Sequence, residues 1–201
     1  MDICITISND RPELTIDNVR YICRPMEEGP VRIPWHFPVG EGSYPPERWY
    51  VATWHDLTGV RNDGYRHTGI DINLDVSPWG DVERALNLSV FAVDDGVVTY
   101  STMNWSGVPM VVIRHEHEGV PIWVRYAHVT CYLRAGAIVH QGDILGGFAD
   151  WPGKGDHLHF DMARDPFTRE WLDPDILWVD PVPVLKAHLD SDVVDAMLRK
   201  S

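Results

Sequence analysis

The chain has 201 residues, 44% hydrophobic and 23% charged, the balance of a globular protein large enough to bury a core without staples. Seventeen Lys and Arg against 30 Asp and Glu leave a formal net charge of -13, a surface field that repels polyphosphate and excludes nucleic acid as the default partner. No apolar run reaches the roughly 18 residues of a transmembrane helix, and the isolated Cys4, Cys23 and Cys131 make neither a disulfide framework nor a cysteine zinc knuckle.

In chain order, Met1-Asp2-Ile3-Cys4-Ile5-Thr6-Ile7 places an acid where a signal peptide needs basic residues, so no export signal is read there. Residues 1–24 alternate apolar and polar (Ile3, Ile5, Ile7, then Ile16, Val19, Tyr21) around a turn near Asn9-Asp10-Arg11-Pro12, which predicts an N-terminal hairpin. From Pro25 to Pro46, six prolines forbid long helix, while Trp35 and Phe37 offer apolar anchors to an ordered loop. Short strands are then predicted at Val90–Val93, Val97–Met103, Met110–His115, Ile122–Ala127, Ile144–Phe148 and His157–Met162. Their punctuation is Asp94-Asp95-Gly96, Ser106-Gly107, Glu118-Gly119, Ala135-Gly136 and Gln141-Gly142-Asp143, a spacing that suits antiparallel β structure. A short C-terminal helix follows from Val193, Val194, Met197 and Leu198 at helical spacing behind Asp190 and Ser191 as caps.

Among ten histidines, two neighbourhoods combine ligand-type residues with tight backbone geometry. In His67-Thr68-Gly69-Ile70-Asp71 the intervening residues are poor helix formers, and a straight strand would hold the pair about 13 Å apart. A shared metal therefore requires the chain to bend between them, with Gly69 as the residue that permits it. In His157-Leu158-His159-Phe160, strand alternation puts both imidazoles on one face, roughly 6.6 Å apart, so that one can bind a metal and the other reach its water. Two histidines and an aspartate leave a tetrahedral zinc one open position, the arrangement of a catalytic site. Tyr126-Ala127-His128 ends a strand and offers a further imidazole. His115-Glu116-His117-Glu118 has the same spacing as the pair, but its acids and the Gly119 turn read as a solvated edge.

These pieces together resemble the lysostaphin-like (LytM-type) zinc endopeptidases, most of which cut peptide cross-links of bacterial peptidoglycan. The resemblance is carried by His67-Thr-Gly-Ile-Asp71, Val90-Phe-Ala-Val-Asp-Asp-Gly-Val-Val98, Tyr126-Ala-His128, Gly142-Asp-Ile-Leu-Gly146 and His157-Leu-His-Phe160, in the family's order across residues 64–163. It implies one zinc per chain on His67, Asp71 and His159, with His128 and His157 beside the open position as base and oxyanion stabiliser in either order. It also implies a mainly β fold with an antiparallel two-layer sheet or sandwich core. Three regions are expected: an N-terminal β and Pro-rich extension packed on the core at 1–60, the zinc peptidase core at 61–165, and a C-terminal extension with a helix at 166–201.

Three departures bear on the substrate. The loop Ala149-Asp150-Trp151-Pro152-Gly153-Lys154-Gly155-Asp156 is more compact than the glycine-rich loop of relatives, Asp161 stands where glutamate is common, and no wall-targeting module is visible. Tyr65 lies closer to His67 than the tyrosine that assists some relatives, and no role is assigned to it. Asp150, Asp156 and Asp161 lack the spacing of a calcium loop, and Gly146-Gly147 lies in no phosphate-loop pattern. Most of the nine tryptophans, including Trp123 and Trp178, are expected to pack inside, with Trp105 and Trp151 as candidate substrate walls.

The leading expectation is hydrolysis of peptide bonds in peptidoglycan cross-links or stem peptides. Two alternatives are a non-catalytic wall- or partner-binding module that retains the fold, disfavoured by the complete set of five residues, and an amidase of cell-wall peptides. Helix-borne zincin chemistry is excluded, because H-E-x-x-H is absent. Location follows the route taken: the envelope or exterior if a leader is removed or lysis releases the enzyme, and the cytoplasm otherwise.

Overall fold

Alternating apolar residues pair as the sequence predicts at the N-terminus. Strands β1 (Ile3–Ser8) and β2 (Arg11–Ile16) form the expected hairpin, with Ile3, Ile5 and Ile7 opposite Ile16, Leu14 and Pro12. A third strand, β3 (Val19–Ile22), extends it into an antiparallel meander. The computed structural model describes residues 3–8, 11–16, 19–22, 35–40, 45–74, 88–105, 108–117, 119–150, 156–167 and 175–199. Contacts along the chain group it into two units, Met1–Ile33, which holds the meander, and Pro34–Ser201.

The second unit contains β4 (Trp49–Thr53), β5 (Gly69–Leu74), β6 (Ser89–Phe91), β7 (Gly96–Trp105), β8 (Val108–His117), β9 (Val120–Ala127), β10 (Val129–Thr130), β11 (Ile138–Val139), β12 (Ile144–Phe148), β13 (His157–Ala163) and β14 (Trp178–Val179). The main sheet runs β11-β7-β8-β9-β13-β5-β4, with β14 added to β13, and a small sheet runs β10-β12-β6. Their pairings are antiparallel, the mainly β class read from the sequence.

The two sheets share one core. Trp49 and Phe148 stack at 5.4 Å between centroids, and Ile70, Ile72, Val124, Tyr126, Leu158 and Phe160 are wholly buried with Val90, Val129 and Leu145. Removing such side chains from water contributes roughly 1.5–3 kcal/mol each, which makes this core the main source of stability.

Helices α1 (Pro181–His188) and α2 (Ser191–Arg199) add Leu185, Val194 and Met197 to that core. The Asp190 carboxylate accepts from the Asp192 and Val193 amides, so it is the expected cap of α2. Helix α1 was not legible, because Pro181 and Pro183 look like breakers; Pro181 stands in the first turn, where its missing N–H costs nothing, and Asp180 accepts from the Val182 amide at 3.0 Å. Trp151 lies outside the described residues, as does most of the Pro-rich segment, although Trp35 is buried and its indole donates to Asp94 Oδ2.

What places the chemistry is the position of β13 between two neighbours. On one side His159 stands opposite Asp71 and Asp161 opposite Gly69. On the other, Asp161 stands opposite Arg125 and His159 opposite Ala127. Leu158, Phe160 and Met162 point the other way, into the core.

Candidate metal centre

His67 does not lie in a strand of its own. Its backbone exchanges two hydrogen bonds with Asp56, N to O in both directions, at 2.8 and 2.9 Å. The Asp56 carboxylate in turn gathers the intervening loop: Thr58 N, Thr58 Oγ1 and Gly59 N donate to Oδ1 at 2.9, 2.6 and 2.9 Å, while Arg61 N and Asn62 N donate to Oδ2 at 2.6 and 3.3 Å. Five donors on one carboxylate make it the organiser of this turn.

The Thr58 hydroxyl, against the opposing effect of burial and with help from the Arg61, Thr58 and Gly59 amides, lowers the Asp56 carboxyl to about 2. Its contribution to stability is complete above its unfolded value of roughly 4 and is lost as pH falls through about 2. Urea unfolding followed from pH 5 to pH 2 is expected to lose less stability in Asp56→Asn than in the wild type. An unchanged acid slope would remove Asp56 as the organiser.

Gly69 is needed for a different reason from the one expected. It is not among the residues with positive φ, so it supplies no left-handed bend. A Cβ there would fall on the Phe160 carbonyl oxygen and on Asp161 Cβ, so the glycine lets β5 and β13 approach closely beside the site.

His67 Nε2, Asp71 Oδ1 and His159 Nδ1 form a nearly equilateral triangle with sides of 2.9, 3.0 and 3.1 Å. Ligand atoms around a tetrahedral zinc lie about 3.3 Å apart, so the triangle is close to what such an ion requires. Second partners fix the tautomers. His67 Nδ1 donates to the Trp54 carbonyl at 3.1 Å, and His159 Nε2 donates to Asp161 Oδ2 at 2.9 Å, which leaves His67 Nε2 and His159 Nδ1 bare in the neutral rings. Three lone pairs facing one another at 3 Å repel, and a cation at their common focus reconciles them. The donor set fits a divalent metal on that ground.

Burial opposes a charge on Asp71, but in the metal-free protein a second proton on His159 or His67 would donate to the carboxylate, and this holds its carboxyl well below the usual range. Burial likewise disfavours a charged His159, while Asp161 and Asp71 pull it upward. A proton and a metal therefore compete for the same ligand nitrogen.

His128 and His157 stand beside the triangle with ring centroids 4.4 Å apart, and His157 Nε2 lies 3.8 Å from Asp71 Oδ1. His128 occupies the corner between β9 and β10 with φ of 62°, a left-handed conformation that is uncommon for a non-glycine residue. Burial, followed by the neighbouring His157 and His159, pushes its imidazole down to about 3, so it is neutral in physiological buffers. All five predicted site residues thus converge. Tyr65 is largely exposed, with its ring 5.8 Å from that of His67, and partial desolvation on its protein side, then the Asp71 charge, raises its phenol.

Two site residues escaped sequence reasoning. Arg125 and Asp161 are wholly buried and form an ion pair that also reaches Thr68. Asp161 carried a signal, since it lies two residues after His159 on the same strand face. Arg125 carried none, because only the register of β9 against β13 brings it there.

His115, read as part of a solvated edge, is instead 1% exposed. Its Nδ1 donates to the Asp95 carbonyl and its Nε2 pairs with the Tyr126 hydroxyl at 3.3 Å, so it is a satisfied buried histidine away from the triangle.

A β-sheet scaffold with a converging His, Asp and His set defines the class, and the comparison with known families agrees. Residues 65–174 match the model of peptidase family M23, and the chain belongs to that family. Lysostaphin from Staphylococcus simulans shares the fold at 20% identity with a TM-score of 0.51, over 71% of this chain and 52% of that one. The chain thus spans about half the length of that relative. A point mutant of the catalytic domain of the prophage-encoded M23 protein EnpA from Enterococcus faecalis matches at 21% identity and a TM-score of 0.46, over 72% of this chain and 95% of that one. No curated protein sequence matches the chain.

Proposed function

We propose that the chain is a zinc-dependent endopeptidase that hydrolyses peptide bonds in peptidoglycan cross-links or stem peptides. The observation that carries this reading is the triangle of His67 Nε2, Asp71 Oδ1 and His159 Nδ1 with the His128 and His157 rings beside it. Membership of a peptidase family supports the reaction class.

In this reading His67, Asp71 and His159 would hold one zinc, with the His128 and His157 rings beside the ligand triangle. Zinc, when bound, would polarise the scissile carbonyl and lower the pKa of its water toward about 7. His157, through the Nε2 that faces Asp71, and His128, kept neutral by burial, divide two tasks. One takes the proton of the attacking water, and the other hydrogen-bonds to the carbonyl oxygen as it gains charge. Proton transfer to the departing amine completes cleavage of the peptide bond. Asp71 would supply the one negative charge among the three ligands.

Incubating the zinc-loaded protein with purified peptidoglycan is expected to release new amino termini, and the masses of the fragments locate the bond. His128→Ala and His157→Ala are each expected to retain about one zinc per chain and to slow cleavage by roughly 10²–10⁴-fold, the range of general acid-base catalysis. Absence of zinc from the purified wild type, or unchanged rates in both variants, would defeat the scheme.

A further inference from the structure

We propose that Asp161, gripped by Arg125 and Thr68, is the positioning residue that fixes the His159 ring so that Nδ1 is presented at the ligand triangle. The inference rests on reading His67, Asp71 and His159 as metal ligands, and it assigns a task to two buried residues that the proposed chemistry leaves unused.

The Asp161 carboxylate is shared three ways. Oδ2 accepts from His159 Nε2 at 2.9 Å, from Thr68 Oγ1 at 2.7 Å and from the Arg125 guanidinium, while Oδ1 accepts from Arg125 Nε at 3.1 Å. Arg125 also reaches Thr68 Oγ1 at 3.3 Å. Thr68 is the chain neighbour of His67, so one carboxylate bridges the segments that carry both ring ligands. The site is closed: the guanidinium carbon lies 5.0 Å from the Phe167 ring and 5.4 Å from that of Trp178, and neither charged side chain is exposed.

A half-turn of the His159 ring about its Cβ–Cγ bond would exchange Nδ1 with a carbon. The triangle would then lose one nitrogen with almost no change in shape, because this terminal torsion is broad and roughly two-fold. The bond from Nε2 to Asp161 is what distinguishes the two orientations, since the flipped ring points a carbon at the carboxylate. Arg125 and Thr68 keep the carboxylate itself from turning. A buried ion pair adds little net stability by comparison with apolar residues of similar size, so stability alone does not account for placing one here.

The test is zinc affinity, measured by competition with a chromogenic chelator, in four proteins: wild type, Arg125→Met/Asp161→Val, Asp161→Glu and Val98→Ala. The double variant removes both charges together, so no unpaired ion remains. It is expected to bind zinc about 10–100-fold more weakly, the usual cost of losing an outer partner of a metal-bound histidine. Asp161→Glu, which keeps a carboxylate, is expected to recover most of that loss. Val98→Ala, which trims the core on β7, is expected to melt at a lower temperature with wild-type zinc affinity.

Equal affinity in the double variant and the wild type overturns the proposal, and so does an equal loss in Val98→Ala. Wild-type protein that binds no zinc overturns the ligand assignment beneath it. If the double variant does not fold, Thr68→Val removes one donor to the carboxylate at nearly constant volume. It is expected to weaken zinc binding severalfold, and an unchanged affinity there overturns the proposal.

Discussion

His159→Ala is expected to leave the purified protein without zinc and to lower cleavage at least about a thousandfold, equivalent to roughly 4 kcal/mol of transition-state stabilisation. The size follows from the geometry. Two ligand atoms, His67 Nε2 and Asp71 Oδ1 at 3.1 Å, remain where three converged, and two protein ligands make a weak zinc site. The substitution also takes the Nε2 donor from Asp161 and the Nδ1 partner from Asp71, so the two carboxylates face each other across a space no longer bridged by imidazole. Metal content by mass spectrometry and fragment masses from peptidoglycan, run on the same preparation, check both halves. Retained turnover in a zinc-free His159→Ala protein would sink the proposed chemistry.

The second large effect concerns folding. Arg125→Ala is expected to destabilise the protein by about 3–5 kcal/mol, because Asp161 would be left as a fully buried anion whose counter-charge is gone. For a chain of this length that is a fall in melting temperature on the order of 10 °C. The neutral pair Arg125→Met/Asp161→Val is expected to recover a large part of it, since neither charge then has to be desolvated. Thermal unfolding of the three metal-free proteins decides the matter, and a single Arg125→Ala variant as stable as wild type would contradict the buried-charge account. Aromatic contacts add to the loss, since the guanidinium lies over the Phe167 and Trp178 rings.

These two effects fall on residues of very different legibility. His67, Asp71, His128, His157 and His159 could be singled out as candidates that the fold brings together because ligand-type residues at characteristic spacings are local patterns, and five of them in a known order resemble one family. The same locality exposed β7, β8, β9, β12 and β13, whose short apolar or alternating runs between turn residues are written in single windows of sequence. Register is not local. Nothing in Val124-Arg125-Tyr126 announces that Arg125 will face Asp161, because that depends on which residue of β9 sits opposite which residue of β13.

Gly69 shows the same limit from another side. The need for glycine was visible, but its cause is the closeness of a strand nearly a hundred residues later, not the backbone at Gly69 itself. His115 was misread because its acidic neighbours describe the exposed face of β8, whereas its own side chain turns inward toward Tyr126.

The placement of β13 bears on how the protein comes apart. A strand hydrogen-bonded on both flanks and covered on both faces belongs to the part of a fold that opens last, since its amides are released only when neighbouring strands separate. His157, His159 and Asp161 all ride on that strand. Fraying of the periphery therefore leaves these three residues in place, whereas His67 depends on its bridge to Asp56. His159 is thus tied to backbone expected to exchange late, so metal binding draws on the stability of the main sheet as well as on the loop that holds His67.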